Sequence, residues 1–87
     1  MEIGDKILKV LLGEYTLRKG SKCCLTYKIG LTANQIAKII NGAWQNDEPV
    51  TLDMVETELY ELGSLVCLRF PIEKNKWTIT YSGIKVA

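Results

Sequence analysis

One stretch constrains the fold of this chain more than any other. From position 50 to 81 the residues read as helix, glycine stop, strand, polar tip, strand. Val55, Leu59 and Leu62 recur at helical spacing, and Gly63 follows the last of them. A glycine there suits the left-handed residue that commonly ends a helix. Residues 65–70 and 77–81 then alternate as paired strands do, around the polar run Pro-Ile-Glu-Lys-Asn-Lys at 71–76. A helix feeding a hairpin in this way predicts a small α+β domain.

The remaining residues supply two more helices. Ile7, Leu8, Leu11, Leu12 and Tyr15 form one apolar stripe within residues 2–15, with Val10 off it. Gly13 weakens that helix and marks either close packing or an early end. Residues 18–30 form a basic connector, and 24–29 suit a short strand. Thr32 is a good N-cap for the second helix, and Gln35 three residues on completes a capping box. Leu31 and Ile36 make the matching hydrophobic staple, Ile39 and Ile40 join Ile36 toward the core, and Asn41-Gly42 is expected to close the helix. Thr51 caps the third helix, whose inward face reads Leu52, Val55, Leu59 and Leu62. Its outward face reads Asp53, Glu56, Thr57, Tyr60 and Glu61. The tail at 82–87 is too short for a helix to be assigned.

Length and composition bound the rest. Eighty-seven residues suffice for one domain, here residues 1–87, and 47% hydrophobic with 24% charged residues excludes a disordered tail. No apolar run reaches the roughly 20 residues of a membrane span, and Glu2 and Asp5 interrupt any signal-peptide pattern. The cytoplasm is therefore the expected compartment. Histidine is absent, and Cys23, Cys24 and Cys67 lack metal-ligand spacing, so no metal, cofactor or catalytic role is expected. The three cysteines read as reduced thiols filling apolar space. Trp44, Trp77 and Tyr81 read as core or loop anchors rather than as base-stacking surfaces.

Charge is more telling in its distribution than in its sum of +1. Residues 1–46 carry a net +4, residues 47–62 carry six carboxylates and no base, and residues 63–87 carry a net +3. The acidic block falls on the third helix and its approach.

Three segments carry a resemblance: Leu31-Thr32-Ala33-Asn34-Gln35-Ile36-Ala37, then Val55 with Glu58-Leu59-Tyr60-Glu61-Leu62-Gly63-Ser64-Leu65-Val66, then Trp77-Thr78-Ile79-Thr80-Tyr81-Ser82-Gly83. In this order they resemble the winged helix-turn-helix superfamily of small MarR-like regulators. The resemblance implies three helices with a C-terminal β-hairpin wing, a short strand between helices 1 and 2, and double-stranded DNA as partner. Carried over by position, it assigns DNA contacts to Asn34, Gln35, Thr51, Thr57 and Tyr60 on the helices, and to Arg69, Lys74, Asn75 and Lys76 on the wing. Lys22 and Lys28 of the basic connector join them as phosphate contacts. Helix 1 is the expected contact of a homodimer.

The acidic third helix departs from that pattern. Phosphate neutralisation supplies much of a protein's affinity for DNA, and Asp53, Glu56 and Glu61 offer none. The expectation is therefore that the wing and the connector grip the duplex more than the helix does. The alternative is a protein-interaction module in which the acidic helix meets a basic protein surface.

Overall fold

The computed structural model describes residues 1–19, 30–69 and 72–87. Among them the chain forms four helices and one three-stranded sheet. The helices are α1 (Ile3–Lys19), α2 (Ala33–Ala43), α3 (Leu52–Glu61) and α4 (Tyr81–Val86). The strands are β1 (Leu31–Thr32), β2 (Val66–Leu68) and β3 (Lys76–Ile79). The sheet is antiparallel in the order β1-β3-β2, so β3 is central. Leu31 pairs with Trp77 on one side of it, and Leu68 pairs with Trp77 on the other.

The core lies where α1, α2 and α3 meet one face of β3. Ile7, Leu11, Ile36, Ile40, Val55 and Leu59 are its fully buried side chains. Each comes from a helical stripe, and Val66, Trp77 and Ile79 close the core from the sheet. Val10, Leu12 and Tyr15 pack against its edge. Most of the α1 stripe is thus consumed inside the molecule.

Local chemistry sets the boundaries. The Thr32 hydroxyl accepts the Gln35 N–H at 3.2 Å, and the Gln35 Oε1 accepts the Thr32 N–H at 2.9 Å. This is the expected capping box. The Thr51 hydroxyl accepts the Met54 N–H at 3.2 Å and starts α3. Gly63 has φ of +59°, a conformation that a side chain disfavours, and it follows the Leu62 cap of α3.

Several expectations are corrected. Among the described residues there are four helices, where three were expected. The tail forms α4 because the Thr80 hydroxyl caps the Gly83 N–H at 3.2 Å, while the Thr80 N–H donates to the Leu65 carbonyl at 3.0 Å. Tyr81 therefore leaves the sheet instead of ending β3. It stands 74% exposed, with the Lys85 ammonium 4.6 Å from its ring, and is no core anchor. Helix α1 runs to Lys19 through Gly13, where an added methyl group would meet open space rather than close packing. Helix α2 passes Asn41-Gly42 and ends at Ala43, with the Trp44 N–H on the Ile40 carbonyl. Both hairpin strands are shorter than expected at their outer ends, and Lys76 belongs to β3 rather than to the polar tip. The strand between α1 and α2 is at Leu31–Thr32; the one expected at 24–29 lies outside the described residues. Leu52, expected inward, is 44% exposed. Cys67 is exposed too, so it fills no apolar space; Cys23 and Cys24 lie outside the described residues.

Candidate binding cleft

The approach to α3 is fixed at two points. Asn41 of α2 grips the backbone of Val50: its amide donates to the Val50 carbonyl at 3.1 Å, and its Oδ1 accepts the Val50 N–H at 2.8 Å. Further back, the Lys6 ammonium of α1 meets the Asp47 carboxylate at 2.6 Å and lies 5.7 Å from the Trp44 ring. Lys6 is buried there, which an ion needs a partner to tolerate. Its hydrogen bond, then its charge, holds the Asp47 carboxyl below the ordinary value. With Val50 pinned and Val55 and Leu59 buried, the rotation of α3 about its axis is determined.

That rotation sorts the outer residues into two flanks. Leu52, Glu56 and Tyr60, spaced by four, line a cleft of about 360 Å³. Asn34 borders it at the start of α2, Lys74 and Asn75 border it from the hairpin, and Trp77 lies at its base. The Tyr60 ring meets Trp77 edge-on, with centroids 5.3 Å apart and planes at 89°. Asn75 has φ of +52° and its N–H donates to the Ile72 carbonyl at 2.9 Å, which turns the chain from a short 3₁₀ turn at Ile72–Lys74 into β3. Asparagine tolerates that left-handed geometry better than most residues.

On the other flank of α3, Asp53, Met54, Thr57 and Glu58 border a shallower depression with Ile3 of α1. The Glu58 carboxyl is pushed above its ordinary value, by burial first and then by Glu61, which also hydrogen-bonds it, and by Glu2. The carboxylates of α3 are therefore not one continuous face. Among the described residues that line the cleft, Glu56 is the only acidic one.

Four of the sequence-predicted contacts meet at this cleft: Asn34, Tyr60, Lys74 and Asn75. The others do not. Gln35 is engaged in its capping box and Thr51 in its cap. Thr57 sits on the opposite flank. Arg69 and Lys76 stand at the strand ends of the hairpin, where the Arg69 N–H donates to the Lys76 carbonyl at 2.8 Å, and both are half-buried. Lys22 and Lys28 lie outside the described residues. Leu52 and Trp77 join the site without having been assigned to it, and Glu56, known only as an exposed acid, proves to face the cleft. The i, i+4, i+8 spacing of 52, 56 and 60 was the available signal.

Among the described residues no three His, Cys, Asp or Glu side chains gather as a metal site, and no helix is long and apolar enough to cross a membrane. No family model, curated protein or solved structure matches the chain.

Proposed function

We propose that this chain is a winged-helix protein that binds double-stranded DNA, as a small transcriptional regulator does, with the hairpin and the basic connector as its main phosphate contacts. The observation that carries the reading is the convergence of Asn34, Tyr60, Lys74 and Asn75 on one cleft that has a single carboxylate among its described lining residues. Amides and a cation suit nucleic acid, and most of the acidic charge of α3 turns away from them. The element order α1-β1-α2-α3-β2-β3 and the sheet order β1-β3-β2 support the winged-helix reading. In this arrangement Lys74, Lys76 and Arg69 neutralise phosphates beside the cleft, and Lys22 and Lys28 extend the grip. A homodimer through α1 would use the edges of Val10, Leu12 and Tyr15, which are partly buried.

Fluorescence anisotropy on a labelled duplex tests this. Five phosphate contacts give a plot of log affinity against log salt with a slope of about −4 to −5. Absence of binding at low salt by the folded protein removes the reading.

A second reading is favoured by one feature, the far flank of α3. Met54 is 47% exposed there between Asp53, Thr57 and Glu58, and acidic residues with an exposed apolar side chain suit a basic protein surface. A folded chain that ignores DNA, and that binds a basic protein less well after Met54→Ala with Asp53→Lys, would establish it instead.

A further inference from the structure

We infer that Glu56 selects a cytosine, accepting a hydrogen bond from its exocyclic amine in the major groove. This rests on the DNA-binding reading above.

Glu56 occupies the middle of the Leu52–Glu56–Tyr60 stripe, and it is exposed toward the cleft. Lys74 lines the same cleft, yet Glu56 has no ion-pair or hydrogen-bond partner among the described residues. An ionised carboxylate offers only acceptors. In the major groove guanine presents N7 and O6, and thymine presents O4, which are acceptors that repel it. Adenine sets its amine beside the acceptor N7. Cytosine alone presents its amine with no neighbouring acceptor on the same base. A carboxylate in this position therefore costs affinity at guanine and thymine, has its hydrogen bond opposed by N7 at adenine, and gains an unopposed one at cytosine.

The surroundings hold Glu56 ready for that task. Val55 and Leu59 bury the face of α3 that adjoins Glu56, so the rotation of the helix and with it the place of the side chain are fixed. Trp77 fixes the Tyr60 ring one turn further on. Lys74 supplies a cation on the hairpin side, which offsets the repulsion between Glu56 and the phosphates on either side of the base. The acidic residue that weakens non-specific binding is thereby the one that confers specificity.

Selection from a random duplex library, run in parallel for the wild-type chain and Glu56→Gln, tests the assignment. The wild type enriches cytosine at one position, with a preference of roughly five- to hundredfold over other bases when single-base variants are titrated. Glutamine pairs with the N6 and N7 of adenine, so Glu56→Gln changes that position to adenine and leaves the rest of the site as it was. Glu56 is exposed, and a matched circular-dichroism melt verifies that the variant is folded. If Glu56→Gln raises affinity for all sequences alike and keeps the wild-type base preferences, the carboxylate is only repulsive; the assignment is overturned while DNA binding stands. If the wild type retains no duplex at all, both fall.

Discussion

Replacing Asn41 with alanine should loosen the start of α3 and lower the stability of the whole domain. The side chain makes two hydrogen bonds to Val50, at 2.8 and 3.1 Å, and Val50 is itself buried. Each such bond contributes about 1 kcal/mol net, and a buried group left without a partner costs somewhat more. Alanine returns about 0.5 kcal/mol through its better helix propensity within α2. The net loss is then about 1.5–2 kcal/mol. In a domain of this size each kcal/mol moves Tm by roughly 4–8 °C, so Asn41→Ala should melt about 6–16 °C below the wild type. Circular dichroism measures this, and urea titration should show the same loss with an unchanged slope. A fall in Tm of less than about 2 °C would mean that the Asn41–Val50 bonds do not hold the start of α3, since it corresponds to less than one ordinary hydrogen bond.

Three further outcomes follow from the packing and the charges. Glu58→Gln should stabilise the protein at neutral pH. Burial and Glu61 raise the folded-state pKa of Glu58 above its ordinary 4.5, so the wild type loses stability as pH rises from 4.5 through that raised value; the advantage of Gln should shrink as pH falls through the same window in pH-dependent urea melts. Asp47→Asn should act in the opposite sense. The folded-state pKa of Asp47 is depressed below 3.8, so its stabilisation is present above 3.8 and lost as pH falls through the lower value; the variant should be the less stable at neutral pH and should converge with the wild type only in strong acid. Gly83→Ala should cost about 1–3 kcal/mol, because its methyl group would press on the Leu65 carbonyl and on Ile79; loss of near-ultraviolet signal with little change in Tm would contradict that packing.

The parts of this fold legible in the sequence are those set by near neighbours. The Thr32–Gln35 box, the Thr51 cap and the Gly63 stop each lie within four residues of what they control, and each is where the residues indicated. Features set by distant partners were not legible. Lys6 is buried beside an apolar stripe because Asp47, 41 residues away, neutralises it. Asn41 resembled a helix stop because its partner Val50 lies across a loop. Helix α4 is too short to persist on local propensity; Thr80 and the fit of Gly83 against Leu65 hold it. The site shows the same division. Exposure of Glu56 and Tyr60 followed from helical period, but the sorting of carboxylates between two flanks depends on how Asn41 and the core rotate α3. Leu52 looked like core for being apolar, and only that rotation turns it outward.

In the proposed binding mode the hairpin holds DNA while the acidic flank of α3 stays outside the contact. The most direct measurement is the salt dependence of duplex binding for the wild type and for a chain carrying both Lys74→Ala and Lys76→Ala. Loss of two phosphate contacts should make the log–log slope shallower by about 2 and weaken binding on every sequence alike. A slope and affinity unchanged by the double substitution would mean that the hairpin does not hold the duplex.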